Sequence, residues 1–256
     1  MKVTTVYFSP TKTTKKGVEA IGKALDENAK NIDITKYNSV KDNVSLENQD
    51  VVVFGVPVYG GRIFEGATQR LNNFKGNNTP CVVVATYGKK AVDDALLELS
   101  DTVKSNGFVP IAGAALIGEH TYGTIEVGRP NEDDLKEDSK FAKDVLKKLN
   151  ANDLTEVEVP GNRPYKNGAT KGGAFTPLTS DKCISCGLCA KECPMGAIDM
   201  QDFKIIDAEK CISCFRCIRI CPVGAKNAEY DDYLNFAKSF TDRVNKLTNV
   251  NEYFGI

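Results

Sequence analysis

Eight of the nine cysteines fall between Cys183 and Cys221, in two runs of the same spacing. Each run reads C-x2-C-x2-C-x3-C-P: Cys183, Cys186, Cys189 and Cys193 before Pro194, then Cys211, Cys214, Cys217 and Cys221 before Pro222. Eight thiols within 39 residues of an intracellular chain argue for metal ligation rather than disulfides. Zinc sites favour C-x2-C pairs separated by a longer insert. Three cysteines in seven residues, twice over, fit iron–sulfur cubanes instead. Three cysteines on a tight loop form one wall of such a cluster, and the fourth must arrive from elsewhere. In runs of this kind the fourth cysteine ligates the other cluster. One [4Fe–4S] cluster (cluster 1) is therefore assigned Cys183, Cys186, Cys189 and Cys221. The other (cluster 2) is assigned Cys211, Cys214, Cys217 and Cys193. Cys81, inside the apolar run 80–85, reads as a small buried hydrophobe.

A second chemistry is suggested near the start of the chain. Ser9, Pro10, Thr11, Lys12, Thr13 and Thr14 join a predicted strand to a helix N-terminus. Hydroxyls and backbone N–H groups there can wrap a phosphate, and the helix dipole favours its charge. The loop is not a Walker motif, because no glycine-rich turn precedes a Lys-Ser/Thr pair. Two more loops, Tyr59-Gly60-Gly61-Arg62 and Thr86-Tyr87-Gly88-Lys89, follow the third and fourth predicted strands. Ligands of open α/β sheets bind outside the carboxyl ends of the strands, at the switch point.

These residues need a frame to hold them. Strands are predicted at 3–8, 32–34, 51–58, 81–86 and 109–117, alternating with helices at about 14–28, 63–73, 91–105 and 132–149. Such alternation implies a parallel sheet covered by helices on both faces. The acidic start of the last helix, Glu132-Asp133-Asp134, suits the helix dipole. Residues 1–150 therefore form one domain, and 151–180, with four Gly and three Pro, form an inter-domain linker. Residues 181–200 recur as 209–228 with ten of twenty positions identical, which marks a duplicated cluster-binding half within the domain 181–228. Residues 229–256 hold a terminal amphipathic helix, centred on 233–247.

Residues 181–228 resemble the two-cluster bacterial ferredoxins, which implies a small α+β fold and one-electron carriage at low potential. Ser9 to Thr14 resembles the flavodoxin phosphate loop T/S-x-T-G-x-T, with Lys12 in place of glycine. The five predicted strands fit a flavodoxin-like, five-stranded, doubly wound parallel sheet. That resemblance implies FMN, with Tyr59 and Tyr87 stacking on the ring. Gly60, Gly61 and Gly88 would let amides reach its edge, and Arg62 would favour its anionic reduced form. The whole chain looks like a flavodoxin/ferredoxin fusion of anaerobes, with two [4Fe–4S] clusters and FMN as cofactors. The expected activity is electron transfer between the clusters and FMN, with redox partner proteins as donor and acceptor. Two alternatives stay open. One is an FMN-dependent reductase of a quinone, nitro compound or free flavin, fed by the clusters. The other is a flavin-free domain that docks the ferredoxin to a partner.

Several readings narrow the field. With 33 basic and 34 acidic residues the chain has no electrostatic footprint for nucleic acid or an anionic membrane. Its apolar runs are far shorter than the ~20 residues that cross a bilayer, and Met1 to Val6 reads as a strand rather than a signal peptide. A cytoplasmic protein is expected. No protein-borne catalytic set is visible, so chemistry belongs to the cofactors. The single histidine, His120, reads as structural, since its loop does not normally reach the flavin in this fold. A head-to-tail homodimer is one arrangement that would bring the clusters of one chain to the flavin of another.

Overall fold

The computed structural model describes residues 1–40, 42–48, 50–168 and 173–256. Lys171 and Gly172, part of the glycine-rich connection, lie outside them. Strands β1 (Lys2–Tyr7), β2 (Lys30–Asp33), β3 (Asp50–Tyr59), β4 (Thr79–Tyr87) and β5 (Phe108–Ile117) alternate with helices α1 (Thr13–Leu25), α2 (Glu65–Leu71), α3 (Ala95–Ser105) and α4 (Glu132–Asn150). The five strands pair in parallel in the order β2-β1-β3-β4-β5. This is the flavodoxin-like doubly wound order, with its switch point between β1 and β3. Every residue of β4 is buried, as expected of a central parallel strand with helices on both faces. On one face Phe54 meets the edges of Phe74 and Phe108, with ring centroids 6.4 and 4.9 Å away, above Leu96 and Leu99 of α3. On the other face Val53 and Val82 pack with Val18 and Ile21 of α1 and with Phe141 and Val145 of α4.

Some boundaries move for local reasons. Helix α1 stops at Leu25, because Asp26 turns extended and its carboxylate accepts from the Asn28 amide at 2.9 Å. Ile63, expected in a helix, instead pairs antiparallel with Val58 across a tight turn at Gly60 and Gly61, both at positive φ. Helix α3 starts four residues later than expected, because Asp94 at its cap is engaged by the linker. The first turn of α4 is held by an Asn131–Asp134 capping box.

The sheet holds more than the five expected strands. The terminal segment is helical only over α5 (Asp231–Val244), and its last residues add strand β6 (Glu252–Phe254) antiparallel to β5. The expectation of a plain helix over 229–256 is corrected accordingly. The short three-residue strand offered little period-two signal. Side chains hold the return firmly: the Ile117 amide donates to Asn251 Oδ1 at 2.8 Å, and Tyr87 Oη to the Val250 carbonyl at 3.0 Å.

The connection after α4 is pinned along the first domain. The Val157 amide donates to the Pro110 carbonyl at 2.8 Å. The buried Asp94 carboxylate accepts from the amides of Asn162 and Lys166 at 2.8 and 2.7 Å. Past the undescribed residues, the Gly173 amide reaches the Cys211 carbonyl at 3.1 Å and the Phe175 amide reaches Ser213 Oγ at 2.9 Å.

Asp138 of α4 is buried and accepts from Tyr253 Oη of β6 at 2.9 Å. Burial raises its carboxyl from the ordinary 3.8 to about 7. The folded state thus holds this proton more tightly than the unfolded one, so its contribution is full below 3.8 and is lost as the pH rises through about 7. Asp138→Asn is expected to flatten that fall and to be more stable than the parent at about pH 8, as read from urea midpoints at several pH values.

Candidate functional site

The duplicated halves build two similar cavities. Each begins with a three-cysteine loop that enters a short helix, Leu188–Lys191 or Arg216–Ile220. Each helix is preceded by a left-handed residue, Gly187 (φ 73°) or Phe215 (φ 54°), at equivalent repeat positions. One cavity is lined by Cys183, Cys186, Cys189 and Cys221, with Ile184, Leu188, Phe203 and Val223. The other is lined by Cys193, Cys211, Cys214 and Cys217, with Met195, Ile198, Ile206 and Phe215. The fold therefore gathers the cysteines in the two crossed sets. The fourth cysteine of each run sits in a mirrored backbone cradle. The Ala197 amide donates to Cys193 Sγ at 3.3 Å and the Ala225 amide to Cys221 Sγ at 3.2 Å. Such N–H···S bonds favour the thiolate that iron requires, so the donor set fits a cluster. Burial would raise the Cys221 thiol, but backbone amides around its sulfur outweigh that and hold it below its usual value. Cys214 is pushed up to about 12 by burial. Cys186 is exposed, while Cys214 is buried, so the first cavity faces outward and the second inward.

A third cavity, of about 370 Å³, lies over the carboxyl ends of β1, β3 and β4. Its size falls within the range of small-molecule sites. Of the residues expected there, Ser9, Pro10, Thr11, Thr13, Thr14, Tyr59, Gly60, Thr86, Tyr87 and Gly88 line it. Four others do not. Arg62 is turned away, held by Glu98 at 2.7 Å and by the Lys166 carbonyl at 2.9 Å, with its guanidinium over the Tyr165 ring. Lys89 pairs with Glu126 at 2.6 Å. Gly61 packs by Asp93 and Lys166, behind the turn. Lys12 is the N-cap of α1.

The opposite wall was not foreseen. It consists of Gly118 to Tyr122, Gly173 to Phe175, Ile212, Ser213 and Phe236. His120 is part of this wall, contrary to the expectation that its loop stays away from the site. Burial lowers its pKa to about 4, so it stands as a neutral imidazole, and its Nδ1 accepts from the Tyr122 amide at 2.8 Å. Tyr122 in turn packs edge-on against Phe215, Phe175, Tyr233 and Phe236, with ring centroids 5.2 to 6.1 Å apart. The only advance signal for this wall was the aromatic content of α5. Nothing in the spacing said which surface those rings would meet.

The third cavity fits a flavin phosphate ester. Thr86 Oγ1 is buried at its wall without a hydrogen-bond partner. A buried hydroxyl of that kind calls for a ligand or water to satisfy it. At one end hydroxyls cluster, with Thr11 and Thr13 oxygens 3.2 Å apart and Ser9 Oγ accepting from the Lys15 amide at 3.0 Å. Gly88 and Gly118 let two wall residues pack directly on the backbone: a methyl group at Gly88 would come within 2.1 Å of His120, and one at Gly118 within 2.1 Å of Thr13.

These features define a class: a flavodoxin-like α/β domain joined to a 4Fe–4S dicluster domain, an electron-transfer assembly carrying two [4Fe–4S] clusters. Residues 182–225 match the 4Fe-4S dicluster domain family. An uncharacterized protein of Methanocaldococcus jannaschii is 30% identical over 139 residues, covering 52% of this chain and 91% of its own length. The chain belongs to the family of that protein. Similar solved structures include a flavodoxin from the domain Archaea, at 15% identity and a TM-score of 0.40 over 59% of this chain and 99% of that one. Oxidised flavodoxin 1 from Bacillus cereus matches at 14% identity and a TM-score of 0.44, over 57% and 98%. The fold assignment rests on the strand order. No helix among the described residues is long and apolar enough to cross a membrane.

Lys12 has φ 67° and ψ 4°, the left-handed region where glycine is at ease and a side chain is strained. Lys12→Gly is expected to raise stability by about 1 kcal/mol, seen as a higher thermal midpoint in calorimetry.

Proposed function

We propose that this protein passes single electrons between a partner protein and FMN through its two clusters, with the flavin seated in the third cavity. One observation carries the reading. Ile212 and Ser213, which wall that cavity, lie in sequence between Cys211 and Cys214, two of the four cysteines of the second cavity. A single loop thus lines both sites, and no second copy of the chain is needed to bring them together.

The chain's own residues do most of the work. Ser9, Thr11, Thr13 and Thr14 would hold the phosphate at the N-terminus of α1. Tyr59, Tyr87 and Tyr122 would hold the ring, and Thr86 Oγ1 would gain the partner it lacks. The aromatic group of Tyr122, Phe175 and Phe236 would exclude water and crowd out small acceptors. This favours transfer within the protein over reduction of a free quinone or nitro compound. FMN, when bound, supplies both one- and two-electron redox chemistry. The exposed Cys186 and the neighbouring Ile184, 62% exposed, make cluster 1 the side that meets a partner. Cluster 2, set against the cavity, is the flavin side.

Anaerobically purified protein is expected to contain about eight iron and one FMN per chain, with flavin and cluster absorption bleaching together on stepwise reduction. Iron without flavin would remove the proposal and leave the docking-domain reading. Thr86→Val separates ligand binding from fold. Removing an unpaired buried hydroxyl should leave the apoprotein as stable as the parent or more so. It should weaken FMN binding roughly fivefold in a fluorescence titration, the loss of about 1 kcal/mol of hydrogen bonding.

A further inference from the structure

The two repeats share their cysteine spacing and ten of twenty aligned positions, so the positions where they differ beside the clusters are informative. At 28 residues' offset Leu188 corresponds to Arg216. Leu188 lines cavity 1, and Arg216 lines cavity 2. Arg216 is only 6% exposed. It donates to the Pro10 carbonyl of the phosphate loop at 2.9 Å and to Glu192 Oε2 at 2.5 Å, while its Nε has no partner. Glu192 is shared with Lys36, at 2.5 Å on its other oxygen. On the far side, Arg70 of the first domain donates to the Pro194 carbonyl at 2.6 Å, next to Cys193. Its other contacts are the carbonyls of Ile34 and Thr35, the Met195 sulfur and the face of Phe8, none of them an anion.

Burial acts against cluster 2. Reduction adds negative charge to a site already ringed by thiolates, and a desolvated site resists that more than an exposed one. Left to burial alone, the flavin-side cluster would have the lower potential, and an electron entering at cluster 1 would have to climb to reach FMN. A buried guanidinium on a residue that lines the same cavity stabilises the added charge, in surroundings that screen it little.

We propose that Arg216 is a potential-setting residue: its charge raises the reduction potential of cluster 2 against the effect of burial, so that electrons pass between the partner side and FMN without a steep step. This rests on the electron-transfer reading above. Cavity 1 has its own buried cation, Lys226, at the position where the first repeat carries Ile198. Both cations therefore come from the second repeat, Arg216 beside cluster 2 and Lys226 beside cluster 1, where the first repeat carries Leu188 and Ile198.

The test is an anaerobic potentiometric titration of the full chain followed by electron paramagnetic resonance, which reads the clusters whether or not flavin is bound. In Arg216→Leu, the residue of the other repeat, one cluster midpoint is expected to fall by a tenfold change in the one-electron equilibrium, 59 mV, with the other moving far less. Arg216→Lys, which keeps the charge, should stay near the parent. Glu192→Gln breaks the same ion pair but removes a negative charge, so it should move the same midpoint upward. If Arg216→Leu and Glu192→Gln shift it in the same direction, or Arg216→Leu shifts neither midpoint, Arg216 is only an interface anchor and the proposal falls. Failure to find FMN would sink the flavin reading and leave these cluster shifts measurable, so the two failures can be told apart.

Discussion

The molecule depends on the burial of one cysteine loop against the parallel sheet's own core. Ile212 and Cys214 belong to the same apolar cluster as Phe54, Val83 and Leu96. A loop that ligates metal is usually polar and near the surface. Here its apolar residues complete a hydrophobic layer, and the residues between its cysteines become a wall of the neighbouring cavity. Moving that loop outward would expose the sheet's core, unwall the cavity and open cluster 2 to solvent together. Position, insulation and stability are thus served by one contact.

Charged anchors hold that contact in register. Arg216 reaches from the dicluster domain to the Pro10 carbonyl, Arg70 reaches back to the Pro194 carbonyl, and Arg219 pairs with Glu119 at 2.8 Å. Arg70 and Arg216 grip backbone carbonyls, which fix geometry more tightly than exposed ion pairs. Their guanidinium forks span from one domain to the other, which a lysine's single ammonium does less well.

Much of this was legible in the sequence, and what was not had a common cause. The apolar runs alternating with helical periods gave the five parallel strands and their helices; the short run at 32–34 was legible only because it falls between α1 and the next strand in that alternation. The two cysteine runs were legible for a different reason: iron imposes a spacing that little else requires. The phosphate-loop and strand-end residues could be named because topology puts strand ends at the switch point. The wall formed by Tyr122, Phe175, Ser213 and Phe236 could not, since it depends on how one domain docks on another, and docking leaves no periodicity. Arg62 illustrates the converse. Its place in sequence suggested the flavin, but Glu98 on α3 offered a two-pronged carboxylate and took it. The strand at 252–254 was missed because three residues carry too little pattern to be read without their neighbour β5.

That short strand changes the topology of the whole chain. Because Glu252–Phe254 closes on β5, the dicluster unit is threaded into the sheet domain as an insertion, tethered at both ends, and is not a tail appended to it. The strand also covers an open edge of the sheet, which would otherwise offer unpaired backbone to other chains. A unit tethered twice cannot swing out on one flexible arm. On the proposed route, an electron leaving its inner cluster would meet the same surroundings at every turnover, and the pace of that internal step would owe nothing to diffusion of one domain towards the other.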